Sequence, residues 1–398
     1  MGVNNWPNQP LKELCTRIGD GLHGTPKYSE SSDIPFINGN NLKNGQILVT
    51  NNTNYVTDEE FERNFIKLDH NSLLLSINGT LGSMAFYNDE VIMLGKSAAY
   101  LNFKTDINRF YYYYFQLPGV QTYFYNVATG STIKNLSLKS IQDFEVPVPK
   151  KNEYEKIAKA LSDLDAKIEL NNKINTELEA MAKLIYDYWF VQFDFPNENG
   201  KPYKSSGGKM VYNEALKREI PEGWEVKDLE DIESNIVTGK TPSTKKDEFY
   251  NGEIPFITIG DIRGNMHITQ TEQTLSILGG NQNPNKFLPK GSICVTCIAS
   301  PGLVGFVTKD SQTNQQINSI ICKNEEIKLF LYFYLKDYFK FAKASSGSTF
   351  SNMNKGEFSS IKTIKPRKEI LIDFSNKLLS ACKNVLKSCG TLYKHFIL

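Results

Sequence analysis

The chain has 398 residues, with 45 Lys and Arg against 44 Asp and Glu, and its composition is 40% apolar and 12% aromatic. That is ample material for two globular cores, while a net charge of +1 argues against coating nucleic acid or membrane by charge alone. Six cysteines in so long a chain are not a disulfide framework, and the longest apolar run, Leu329 to Leu335, is far too short to cross a bilayer.

From the start, Met1 to Trp6 shows neither a basic n-region nor an apolar h-region, so a cytoplasmic protein is expected. The stretches from Asp33 to Ile37, Ser72 to Ile77 and Ala98 to Phe103 carry the strand signal, bounded by Gly, Asn, Asp and Ser. Long polar connections separate them, over 19–33, 38–54 and 78–82. Phe110 to Leu117 reads as one aromatic helix. Four consecutive tyrosines, Tyr111 to Tyr114, must face all round it, so packing is expected there rather than a base-stacking platform.

Pro147 and Pro149 close this region, and the stretch from Glu153 to Phe190 follows without Gly or Pro. Its Ala, Leu, Glu and Lys favour a helix. Ile157, Leu161, Leu164 and Ile168 fall on a 4-3-4 spacing that Leu178, Ala182, Ile185 and Trp189 resume, which is a heptad seam. Asn171 and Asn175 occupy the two seam positions between, where a polar residue lowers stability but fixes register. Such a helix spans about 57 Å, and so narrow a stripe calls for a partner helix. Shifting the first six seam positions by 217 residues carries them onto Phe374, Leu378, Ala381, Val385, Ser388 and Leu392. Every apolar position lands on an apolar residue, and Asn171 lands on the polar Ser388.

The rest of the chain repeats at nearly the same offset, between 215 and 220 residues. Trp6 with Leu11 and Leu14 answers to Trp224 with Val226 and Leu229. Thr25-Pro26 answers to Thr241-Pro242, and Ile34-Pro35-Phe36-Ile37 to Ile254-Pro255-Phe256-Ile257. Gly130-Ser131-Thr132 answers to Gly347-Ser348-Thr349. The expected plan is α+β with an internal pseudo-twofold repeat: domains over 1–149 and 220–366, helices over 150–190 and 367–398, and a Gly, Lys, Ser and Pro linker over 191–219.

No catalytic constellation stands out. The chain has no phosphate-binding glycine loop and no dinucleotide fingerprint. Asp310 with Glu326 and Lys328 is the kind of triplet that arises by chance. Cys294 and Cys297 have metal-ligand spacing without a second pair at a matching distance, so they read as core cysteines.

The paired Trp…Leu-x-x-Leu…Thr-Pro segments, the two Ile-Pro-Phe-Ile strands and the two Gly-Ser-Thr turns resemble the specificity subunit of type I restriction-modification systems. So do Ile157 to Glu169, Phe193-Asp194-Phe195-Pro196 and Ile220 to Trp224, and the likeness runs over essentially the whole chain. The resemblance implies two mixed α/β target recognition domains, each reading one half of a split, asymmetric DNA sequence. It implies an antiparallel coiled coil that spaces them and docks two methyltransferase (modification) subunits, with restriction and translocase subunits added. The chain itself would be non-catalytic, with S-adenosylmethionine and ATP on its partners. The rival expectation is a non-DNA coiled-coil adaptor presenting two ligand-binding domains. One departure is that Trp6 lacks the Pro-x-Gly-Trp approach found at Pro221, so its surroundings should differ from those of Trp224.

Under that resemblance base readers belong on polar loops. The candidates in the first domain are Thr25, Lys27, Tyr28, Asn38, Asn40, Asn41, Asn78, Thr80, Ser131, Thr132 and Lys134. In the second they are Thr241, Ser243, Thr244, Lys245, Lys246, Asp261, Arg263, Ser300, Ser348, Thr349 and Ser351.

Overall fold

The computed structural model describes residues 6–346 and 352–389, without the side chains of 345–346 and 382–389. The chain divides into two compact units, Met1–Asn172 and Lys173–Leu398.

In the first unit, strands β1 (Cys15–Asp20), β2 (Ile34–Ile37), β3 (Ser72–Ser76), β4 (Met84–Phe86), β5 (Met93–Leu94) and β6 (Ala98–Phe103) form two sheets. The larger runs β1–β6–β3–β4, antiparallel throughout. In the smaller, β2 pairs in parallel with β5, Phe36 opposite Met93 and Ile37 opposite Leu94. Every residue of β3 is buried, because its alternating side chains enter different cores. Leu73 and Leu75 join the core that the aromatic helices cap, while Leu74 joins a second core with Ile37 and Tyr100.

Helix α1 (Asn108–Phe115) carries the tyrosines as packing groups. The Tyr111 ring stacks on Phe103 at 5.2 Å and its hydroxyl donates to the Pro147 carbonyl at 2.9 Å. A further helix, α2 (Pro118–Val127), begins at Pro118; proline at a first helical position removes no needed donor.

Helix α3 (Lys151–Tyr186) is continuous across the division and ends in a wider π turn, Asp187–Val191. Near its start, Tyr154 and Ala158 are buried in the first core with Ile157 packed beside them. Near its end, Leu178, Ala182, Tyr186 and Trp189 are buried in the second unit.

The second unit repeats the first. Strands β7 (Ile236–Thr238), β8 (Tyr250–Ile257), β9 (Ile293–Thr296), β10 (Val304–Val307), β11 (Gln312–Thr313) and β12 (Ile317–Ile320) recur in the same order, β7–β12–β9–β10. Again β8 pairs in parallel with β11, Phe256 opposite Gln312. Helix α4 (Lys328–Ser346) replaces the aromatic pair, and α5 (Lys368–Cys389) leaves the domain. Phe374 of α5 meets Trp189 at 5.9 Å and Phe190 at 5.0 Å, and Leu378 lies in the same core as Ala182 and Trp189. The early turns of α5 thus face the late turns of α3, an antiparallel pairing.

Two expectations need correction. Leu164 and Ile168 are 55% and 57% exposed, so no described residue covers the middle of the seam; a heptad pattern states what a partner would cover, not that one is there. Asn171 is half-buried and Asn175 exposed. The side chains of Val385 and Ser388, and all of Leu392, lie outside the described residues. The stretch read as a linker, 191–219, is anchored in the core at its start: Phe193 and Phe195 are each 1% exposed and pack on Trp224 at 5.7 and 5.1 Å. Trp6, by contrast, packs edge-on against Phe110 at 6.0 Å and stays half-exposed, the difference its missing Pro-x-Gly approach implies.

Candidate nucleic-acid interface

In the first unit the loops at one end of the sheets are knitted together by their own polar groups. The Asn38 N–H donates to Asn41 Oδ1 at 2.9 Å, and Asn41 Nδ2 donates to the Leu48 carbonyl at 2.8 Å and to the Thr53 hydroxyl at 3.1 Å. The Ser97 hydroxyl donates to Asn38 Oδ1 and accepts from the Gly39 N–H, each at 2.9 Å. The Thr80 hydroxyl donates to the Gly39 carbonyl at 2.8 Å. Asn78 bridges to Asn135, which also pairs with Thr129. Loops 38–41, 77–82, 95–97 and 129–135 therefore form one rim.

The loop from Gly21 to Tyr28 joins it through Leu22, whose N–H donates to the Leu94 carbonyl at 2.8 Å while its carbonyl accepts from the Lys96 N–H at 2.9 Å. Gly21 lies so close to Leu94 that a Cβ would overlap its carbonyl. Thr25, Lys27, Tyr28, Asn40, Thr80, Ser131 and Thr132 are exposed on this rim, while Lys134 lies with its ammonium 4.8 Å from the Tyr125 ring.

The second unit builds the same rim with other chemistry. The Thr258 N–H and hydroxyl donate to Asp261 Oδ2 at 2.7 and 2.8 Å, and the Glu272 N–H donates to Oδ1 at 2.9 Å. The Thr241 hydroxyl donates to Gln315 Oε1 at 2.6 Å. Ser243, Thr244, Lys245, Lys246 and Arg263 are exposed, and Lys246 lies over the Phe249 ring at 5.1 Å. Ser300 is half-buried, its carbonyl accepting from the Thr296 hydroxyl at 2.6 Å. Ser348, Thr349 and Ser351 lie outside the described residues.

Two candidates change role. Asn41 is buried and Asp261 accepts from three donors; each ties down its own turn at equivalent positions of the repeat, which leaves most of its hydrogen-bonding capacity spent within the chain. Two exposed residues on the rim escaped the reading, Lys96 and Gln315. The signal that finds them is the repeat itself, since both follow the short parallel strand of the smaller sheet.

The chemistry outside the rim is structural. Burial pushes the Cys294 thiol up to about 12 and the Cys297 thiol to about 11, as core cysteines require. Glu326 pairs with Lys368 and Lys328 with Glu325, while Asp310 accepts from the Lys290 N–H. That triplet is spent on separate contacts. Among the described residues, no helix is long and apolar enough to cross a membrane and no His, Cys, Asp or Glu cluster could hold a metal ion.

Comparison with known proteins fits this duplicated rim. The family described as the type I restriction modification DNA specificity domain matches residues 4–180 and again 221–378. The type I restriction enzyme HindI specificity subunit of Haemophilus influenzae is 34% identical over 310 residues, covering 65% of this chain and 67% of that protein. The MjaIX specificity subunit of Methanocaldococcus jannaschii is 26% identical, over 64% of this chain and 57% of its own length. The matches thus span between half and two thirds of these relatives. In fold, the crystal structure of a type I restriction-modification S subunit from M. genitalium superposes with a TM-score of 0.52 at 18% identity, covering 97% of this chain and 94% of that one. With both halves matched by one family and the repeat visible strand by strand, the chain belongs to the type I restriction-modification DNA specificity family.

Proposed function

We propose that the chain reads a bipartite, asymmetric DNA target, each unit contacting one half-site through its loop rim, and presents that DNA to two methyltransferase subunits. Restriction and translocase subunits join the same complex, and S-adenosylmethionine and ATP belong to those partners. The domains doing the reading are 1–149 and 220–366, and the exposed rim residues supply the contacts: Thr25, Lys27, Tyr28, Asn40, Ser131 and Thr132 in the first, Ser243 to Lys246 and Arg263 in the second.

One observation carries this reading. The frame of the rim is duplicated, down to the glycine pressed on the neighbouring strand at Gly21 and Gly239, while the side chains it exposes differ. A frame kept with its contacts changed is what two readers of different sequences need. With a net charge of +1, the chain releases few counterions on its own, so binding by the isolated protein should be weak.

The test is co-purification followed by single-molecule sequencing of host DNA with and without this gene. A methyltransferase at two copies per chain and a split, non-palindromic methylated motif are expected. A contiguous or perfectly palindromic motif would overturn the two-reader function.

A further inference from the structure

The segment after the parallel strand of the smaller sheet is built alike in both units. In the first, the Gly95 N–H donates to the Ile37 carbonyl at 2.8 Å and the Ile77 N–H to the Ser97 carbonyl at 3.0 Å. In the second, the Asn314 N–H donates to the Ile257 carbonyl at 3.2 Å and the Cys297 N–H to the Gln316 carbonyl at 2.9 Å. These matched bonds make Lys96 and Gln315 structural equivalents, although their side chains have nothing in common.

Both segments are clamped. A Cβ at Gly95 would overlap the Asn38 amide, and one at Gly239 would overlap Thr313 and the Asn314 carbonyl. Asn314 and Gln316 lock the turn around Gln315, with Asn314 Nδ2 donating to Gln316 Oε1 and the Gln316 N–H donating to Asn314 Oδ1, each at 3.0 Å. Lys96 and Gln315 are exposed at these fixed points. The Lys96 ammonium has no hydrogen bond or ion pair among the described residues. The Thr241 hydroxyl holds Gln315 Oε1, which fixes the direction of the amide and leaves Nε2 and one oxygen lone pair outward. For Lys96 the support is in the backbone, held at Gly95 and Leu22; for Gln315 the amide is held as well, and recognition needs such support.

We propose that Lys96 and Gln315 are the paired specificity-determining positions of the two units, Lys96 reading a guanine in one half-site and Gln315 an adenine in the other. The assignment rests on the DNA-reading function proposed above. It follows from edge chemistry: an ammonium donates to the O6 and N7 acceptors of guanine, and a carboxamide matches the N6 donor and N7 acceptor of adenine. The repeat adds a geometric statement, namely that the two bases occupy corresponding positions of their half-sites.

The experiment uses the full complex with its methyltransferase subunits on a plasmid library randomised across the target, read by single-molecule sequencing. Lys96→Met should relax one guanine of one half-site, lowering discrimination there about 5- to 150-fold, with the other half-site unchanged. Gln315→Leu should relax one adenine of the other half-site alone, and Lys96→Arg should keep the guanine. The untouched half-site reports in each case that the protein is folded. The proposal is overturned if methylation persists with every position unchanged. Uniform loss of methylation without relaxed bases also overturns it, since that marks a phosphate contact. A wild-type complex that reads no split target would instead remove the function itself.

Discussion

Phe374→Ala tests how helix α5 is held to the second unit. The ring is fully buried and meets Trp189 and Phe190 at 5.9 and 5.0 Å, so almost nothing of it is in water to begin with. Truncating a phenylalanine at such a site costs about 3–5 kcal/mol, the lost transfer energy plus the cavity left behind. Total stabilities of domains run to about 5–15 kcal/mol, so the loss is a large share. In a unit of this size each kcal/mol moves the midpoint by about 2–4 °C, which predicts a fall of about 6–20 °C. Tryptophan fluorescence is a suitable probe because Trp189 and Trp224 both lie in this unit. Leu184→Ala, at a position 68% exposed near the end of α3, serves as control and should change stability by less than about 0.5 kcal/mol. If Phe374→Ala moves the midpoint no further than the control, the helix is held by something other than this aromatic cluster.

Burial alone would raise the Glu179 carboxyl, but Lys336 at 2.7 Å and the Tyr332 hydroxyl at 2.9 Å outweigh it and hold it below its ordinary value of 4.5. Its folded value being the lower one, its stabilisation is complete above 4.5 and is lost as pH falls through the folded value. Urea midpoints of wild type and Glu179→Gln should therefore converge in acid, and a gap that persists there would refute this. Ala299 holds φ +63 where its counterpart Gly79 holds φ +77. Ala299→Gly should raise stability by about 0.5–1 kcal/mol, the left-handed strain relieved less the added freedom of the unfolded chain, and a lower melting point would contradict it. Gly21→Ala should abolish reading of one half-site by forcing the rim away from Leu94, and an unchanged methylation motif would show that the rim tolerates it.

What the sequence revealed and what it hid divide along physical lines. The repeat was legible because core strands such as Ile34 to Ile37 and Ile254 to Ile257 tolerate few side chains. Paired apolar residues such as Ile157 and Phe374 survive for the same reason. Asn41 and Asp261 could not be told from base readers, since a polar residue in a loop looks alike whether it binds its own backbone or a ligand. Phe193 and Phe195 were hidden among Gly, Lys and Pro, a composition that suggests a linker even when two rings in it fill a core. Gln315 was missed because the fixed direction of its amide depends on Thr241, far away in the chain.

The uncovered middle of helix α3 has a consequence in helix–coil terms. Nucleating a helix is unfavourable and extending one is nearly neutral, so an isolated stretch of this composition would be marginal in water. Here the buried ends, at Tyr154 and Ala158 and at Leu178 and Ala182, act as two standing nuclei. The turns between them propagate inward from both sides, with exposed contacts such as the Tyr113 hydroxyl donating to Asp165 at 2.8 Å adding to those anchors. Within helix α3, the segment that opens first should therefore lie between its two buried ends. Lys159, Lys167 and Lys173 are exposed within it, so brief trypsin treatment should nick the chain there and release two folded fragments before either core unravels.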